Sequence, residues 1–253
     1  MCKRIEKTIA NCLRNKLNNY TPKIKEMPFH YRLIGKDRMA LFSFIHSLNI
    51  SFGISIFGPV ALTIASERFA KAAAQYVVGN VIFDQNRQVI TEILDLLRSS
   101  KSKPNKPNEI ELLRKSLVGD VQIVKATKVD LYLENKDGER WLFGIKLPKL
   151  NEGNFLGFKR TLLEWAAIAL SSDDKREVHS LIAFPYNPYA PKPYERWTMK
   201  GLFDFKHEIM IAEEFWDFLG GEGTYEELLN CFARVGDDMR GEIDEYFKRF
   251  ILR

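Results

Sequence analysis

The chain has 253 residues, 45% hydrophobic and 28% charged, with a formal net charge of +5. That length and balance suit one large domain around a sizeable core and exclude a mainly disordered chain. The charge tilts only mildly toward a polyanionic partner. Three widely spaced cysteines without a CxxC argue against a disulfide framework or zinc site and for a reducing cytoplasm.

Ile5, Ile9, Leu13 and Leu17 recur at a spacing of four, which predicts an amphipathic helix over 3–18 without the apolar core of a signal peptide. A connection follows from Thr21 to Pro28, and Asp37 is placed to cap a helix running from Met39 to about Leu48. The stretch between Arg38 and Glu67 carries no formal charge and is long enough to span a bilayer. His46, Asn49, several serines and the Gly58-Pro59 pair interrupt it, so two buried helices are expected instead, with no membrane association. The second runs from about Phe57 to Val78, because ASERFAKAAAQ is rich in helix formers. Val89, Ile90, Ile93, Leu94 and Leu97 then mark a helix that Asp84 can cap.

The polar run SSKSKPNKPN reads as a solvated linker carrying Lys101, Lys103 and Lys106. It separates an N-terminal helical region, 1–100, from a second region, 107–253, the two packing as one compact unit. A short helix over Glu109–Leu117 ends at Gly119. DVQIVKATKVDLYLE and RWLFGIKL read as two strands joined by a hairpin at Asp137-Gly138. A long helix follows in NEGNFLGFKRTLLEWAAIALSS, then a strand in EVHSLIAFPY. The tail from Glu213 is mostly helical, broken at Gly220-Gly221, with a capping box at Thr224 and Glu227. It lacks a phosphate-loop pattern. Together these elements predict an α/β fold with a mixed sheet and helices on its faces.

The chemistry concentrates on the hairpin. Asp130 lies on its first strand and Lys146 on its second, so both reach one end of the strand pair. A carboxylate there can hold Mg²⁺ against a phosphate oxygen, and a lysine can offset the charge that develops on the phosphate. No two of the four histidines stand at metal-ligand spacing.

This pattern is similar to the PD-(D/E)XK nuclease signature. Asp130 matches its first acid and Lys146 its lysine, but the middle acid falls on Gly144, and Val129 replaces the common proline. Longer blocks extend the likeness: FHYRLIGKDRMALFSFIHSLN, GFKRTLLEW, LIAFPYNPYAPKPYERWTMKG and AEEFWDFLGGEGTYEELL. From about Pro28 to the C-terminus the chain resembles TdeIII-type type II restriction endonucleases. The resemblance implies a restriction-endonuclease-like αβββαβ core extended by N-terminal and C-terminal helices. It also implies Mg²⁺-dependent cleavage of double-stranded DNA at a short palindromic site of the GG-any-CC type. A homodimer is implied too, with no small-molecule cofactor beyond the metal.

Gly144 leaves three readings open: an inactivating substitution, which is preferred; migration of the acid to Glu164 or, less well, Glu152; and a natural loss of cleavage with DNA binding kept. A strand-interior glycine costs roughly 1 kcal/mol and packs nothing, which favours replacement over a stability choice. Glu67 is a further candidate metal carboxylate, or else an exposed glutamate beside Arg68 and Lys71. For DNA, Lys159 and Arg160 are expected to meet phosphates, and Lys192 and Arg196 sit in a proline-stiffened loop that either enters a groove or packs against the C-terminal helices. The rival function is a catalytically inactive DNA-binding protein with a nuclease fold.

Overall fold

The computed structural model describes residues 1–23, 27–148, 155–194, 199 and 201–251, without the side chains of Ile50, Ser51, Ile54 and Ile251. The expected first helix is α1, Cys2–Asn19, which buries Ile5, Ile9 and Leu17. The uncharged stretch folds as α2 (Pro28–Ile34), α3 (Lys36–Phe52), a π-helical turn (Gly53–Phe57) and α4 (Gly58–Ala65). Among the described residues no helix is long and apolar enough to cross a membrane.

The helix expected to reach Val78 stops at Ala65 instead, and Lys71–Phe83 forms strand β1. Local preference lost to pairing. β1 lies antiparallel to β2, Val121–Glu134, from Lys71 opposite Glu134 to Phe83 opposite Val121. A β-branched strand as long as β2 would otherwise expose an unpaired edge, and that outweighs the helix propensity of three alanines.

Helix α5, Asp84–Arg98, buries Ile90, Ile93, Leu94 and Leu97 as its period predicts, but Asp84 sits in its first turn and makes no cap. The end of the expected linker is already helical: α6 spans Lys106–Lys115, and the Asn105 side chain accepts from the Asn108 amide at 3.1 Å. β3, Arg140–Ile145, returns antiparallel to β2. The connection is wider than a two-residue turn. Asn135 and Glu139 close it through a 3.1 Å backbone bond, and Gly138 takes φ 79°, as a left-handed position requires.

Helix α7, Phe155–Ser172, crosses over to β4, Val178–Phe184, which lies parallel to β3. α8 (Phe205–Glu208) leads into β5 (Ile209–Ile211), parallel to β4, and then α9 (Glu213–Gly220), α10 (Thr224–Asp238) and α11 (Arg240–Ile251) follow. The five-stranded order is β1-β2-β3-β4-β5. Residues of α5, α6 and α7 cover one face of the sheet; α1, α4, α9 and α10 cover the other. This is the mixed-sheet α/β architecture, with N-terminal and C-terminal helical extensions, that the resemblance implies.

Two details hold the layers. A Cβ at Gly79 would lie 2.8 Å from Ile168 Cγ2, so glycine lets α7 settle directly on β1. The capping box expected at Thr224 and Glu227 does not form, because Gly223 is the N-cap and Thr224 donates to the Gly221 carbonyl at 2.6 Å. The Asp217 carboxylate takes over that role, accepting from the amides of Gly223 at 3.0 Å and Tyr225 at 2.9 Å.

Candidate active site

Leu131 stands opposite Phe143 on one side and Ala74 on the other, so the next position aligns Gln75, Asp130 and Gly144 across three strands. Asp130 Oδ2 accepts from Lys146 Nζ at 3.1 Å and from the Ile145 amide at 2.9 Å. Its other oxygen accepts from Gln75 Nε2 at 3.2 Å. The two expected side chains thus converge on one face, with side-chain exposures of 16% for Asp130 and 30% for Lys146. Lys146 is fixed at its backbone by a 2.9 Å bond to the Ala183 carbonyl.

Residue 144 faces the same side. A Cβ there would lie 3.7 Å from Lys146 Cε and 3.3 Å from Trp165 Cη2. The indole of Trp165 is buried, and its Nε1 has no hydrogen-bond partner among the described residues. Trp165 therefore borders the space that a middle acid would enter.

Gln75 was invisible to sequence reasoning, because AAAQ reads as helix. It adopts a left-handed backbone conformation, φ 51°, within β1. A non-glycine residue held there costs about 1–3 kcal/mol, and such strain collects at functional sites. Here it accompanies an amide that donates to the Asp130 carboxylate.

Mg²⁺ takes oxygen ligands and commonly uses one or two carboxylates together with substrate phosphate. Asp130 supplies one such carboxylate, which fits the ion at the lower limit of protein ligation. Among the described residues no second acid contacts Asp130 or Lys146. A different grouping, Cys2, Glu227 and Cys231, has its ligand atoms within 4.8 Å of one another. Arg234 already sits there, donating to Glu227 at 2.7 Å and reaching Cys231 Sγ at 3.3 Å, so a positive charge occupies the place of a cation.

The other expected site residues are dispersed. Glu67 lies in the turn between α4 and β1 and pairs with Arg4 at 3.1 Å, and no described contact joins it to Asp130. Glu164 is half-buried and lines a pocket of about 270 Å³ with Arg87, Lys125, Thr127 and Arg160. Burial pushes its carboxyl above the usual range, against the pull of Arg160 and Arg87. Arg160 is exposed on α7, and Lys192 is exposed in its loop. Arg196 and Glu152 lie outside the described residues.

Lys159 departs from expectation. It is fully buried, with Nζ 2.6 Å from Glu109 and 2.7 Å from Glu208, and Lys106 joins Glu208 at 3.0 Å. It cannot meet a phosphate from there, and Lys106 is no solvated linker residue. A signal was present: Phe155, Lys159, Leu162, Leu163 and Ala166 share the inward stripe of α7.

A family model described as type II restriction endonuclease, HinfI, matches residues 1–236. The chain belongs to the HinfI type II restriction endonuclease family. It is 32% identical over 227 residues to the type II restriction enzyme HgiCII of Herpetosiphon aurantiacus, covering 85% of this chain and 80% of that protein. It is 27% identical over 237 residues to HgiEI of the same organism, covering 90% and 85%. It is 29% identical over 240 residues to MjaII of Methanocaldococcus jannaschii, covering 84% and 63%. The HinfI family is thus one of site-specific deoxyribonucleases that act on double-stranded DNA, and type II restriction endonucleases generally use divalent metal ions. The resemblance to restriction endonucleases holds, with HinfI as the family matched.

Proposed function

We propose that this HinfI-family chain is a cytoplasmic, Mg²⁺-dependent endonuclease that cuts double-stranded DNA slowly, at a short palindromic site, as a homodimer. The carrying observation is the 3.1 Å convergence of Asp130 and Lys146 beside a residue 144 that has no side chain. The TdeIII-type resemblance supports a GG-any-CC type of site. A two-fold site suits a two-fold dimer in which each subunit cuts one strand.

Bound Mg²⁺ would supply a polarised phosphate oxygen and a more acidic water. Asp130 would hold the ion, oriented by the Ile145 amide and by Gln75. Lys146 would turn its ammonium from Asp130 to the scissile phosphate and offset the charge that develops there. Arg160 and Lys192 are proposed to meet the DNA backbone. With one acid instead of two, the ion is held weakly and hydrolysis slows while DNA binding persists.

Plasmid cleavage with Mg²⁺, run beside a gel-shift assay, tests this. Slow cleavage with DNA bound is expected, and Gly144→Asp should accelerate it by tenfold or more once Trp165 yields a few tenths of an ångström. Gly144→Ala, equally crowded but without a carboxylate, should give no gain. Full-rate cleavage by the unaltered chain would overturn the account of Gly144 and move the second acid to Glu164, whose half-buried carboxyl faces a cavity. A second reading, a DNA-binding protein without cleavage, draws on the single carboxylate. It predicts no nicking with Mg²⁺ or Mn²⁺.

A further inference from the structure

We infer that the pocket beside Glu164 binds a backbone phosphodiester of duplex DNA, held by Arg87, Lys125 and Arg160. This rests on the DNA-cutting reading above and extends the surface that DNA would touch. Three separate elements bring these cations to one rim: α5 supplies Arg87, β2 supplies Lys125 and α7 supplies Arg160. All three are exposed. Lys125 and Arg160 make no hydrogen bond or close ion pair with any described residue, and Arg87 spends one N–H on Gln122. A guanidinium has five donors, so most of the donor capacity of Arg87 remains free.

The pocket includes the apolar Ile82, Ile90 and Ile168, and one hydroxyl there, the buried Thr127 Oγ1, has no hydrogen-bond partner among the described residues. A buried hydroxyl without a partner costs about 1–3 kcal/mol. If the Thr127 side chain turns toward the pocket, a phosphate oxygen held by the cations would accept from it. Glu164 is the one acid among the lining residues, so three cations face a single carboxyl.

Position supports the DNA assignment. Thr127 lies three residues before Asp130 on β2, about 10 Å along a strand, so the pocket and the Asp130–Lys146 pair are close enough to meet nearby phosphates of one duplex. Glu164 immediately precedes Trp165, the residue packed over Gly144. One bound duplex can therefore present one phosphate to Asp130 and Lys146 and a nearby one to this pocket.

The test is fluorescence anisotropy with a short synthetic duplex, in EDTA to prevent cleavage, across a salt series. The unaltered chain should bind. Lys125→Ala with Arg160→Ala should weaken binding by about tenfold. The salt dependence should also flatten by roughly one unit, because one phosphate is no longer neutralised. Lys248→Ala on α11 should change neither. Lys125→Glu alone, at an exposed strand position, serves if the double variant melts early, and should weaken binding at least as much. Unchanged affinity and slope in a folded variant would overturn the pocket while leaving the nuclease reading intact. No duplex binding by the unaltered chain would overturn the DNA reading itself. If inorganic phosphate protects the unaltered chain but not the double variant against heat, while duplex binding is the same in both, the pocket takes a free anion and the proposal fails.

Discussion

Lys146 meets Asp130 at 3.1 Å, and Lys159 meets Glu109 at 2.6 Å and Glu208 at 2.7 Å. The two lysines differ in what surrounds the contact. The side chain of Lys159 is 0% exposed, and Lys106 balances the second glutamate, so two cations face two anions with nothing free to exchange. That network fastens α6, α7 and α8 together. The side chain of Lys146 is 30% exposed and bonds a single carboxylate at the end of two strands. Its ammonium can leave Asp130 for a phosphate without stranding a charge in the interior. A lysine beside a carboxylate is thus a fastener when sealed and balanced, while one left open to water is free to serve the reagent role proposed for Lys146.

The largest expected effect separates the two by stability. Lys159→Ala leaves two buried glutamates short of a partner and should cost about 3–5 kcal/mol in urea denaturation. Lys146→Ala should cost clearly less, because the part-buried pair stays in reach of water and Asp130 keeps its bonds to the Ile145 amide and Gln75. Equal losses would erase the distinction. Activity should reverse the order. Asp130→Asn should lower cleavage by about a hundredfold or more while the melting temperature stays near that of the unaltered chain. If Asp130→Asn cuts DNA at the original rate, the site lies elsewhere.

The buried network also has a pH signature. Burial alone would raise the Glu208 carboxyl, but Lys106 and Lys159 outweigh it and hold it below the ordinary value of 4.5. A group depressed in the folded state contributes stability that is complete above its unfolded value and lost as pH falls through the folded one. Thermal stability should therefore decline below about pH 4.5, and Glu208→Gln should flatten that decline. An equally steep acid limb in Glu208→Gln would remove the network as its cause.

Much of this was legible because the signals were local. The period of α1 and α5, the strand character of β2 and β3 and the spacing of residue 144 from Lys146 all follow from near neighbours in sequence. The placement of Gly144 beside Lys146 is a two-residue alternation. β1 was not legible, because Lys71–Ala74 favours a helix and its partner, the end of β2, lies far along the chain. Gln75 was missed with it. The burial of Lys159 was written in the stripe of α7, but its partners Glu109 and Glu208 come from elements that no local pattern brings together.

The smallest expected effect concerns Gln75, where backbone and side chain can be set against each other. Its φ of 51° is costly for glutamine and easy for glycine. Gln75→Gly should therefore hold or raise stability, by up to about 1 kcal/mol, since relief of strain offsets removal of the 3.2 Å bond to Asp130. Cleavage should still fall severalfold, because Asp130 loses the amide that orients one of its oxygens. Gln75→Asn keeps an amide and tolerates the left-handed backbone better, but its arm is one carbon shorter. It should match the glycine variant in activity if reach to Asp130 matters, and the unaltered chain if the amide only needs to be nearby. A glycine variant that gains stability and keeps full cleavage would show that the strain at residue 75 serves the strand and not the carboxylate beside it.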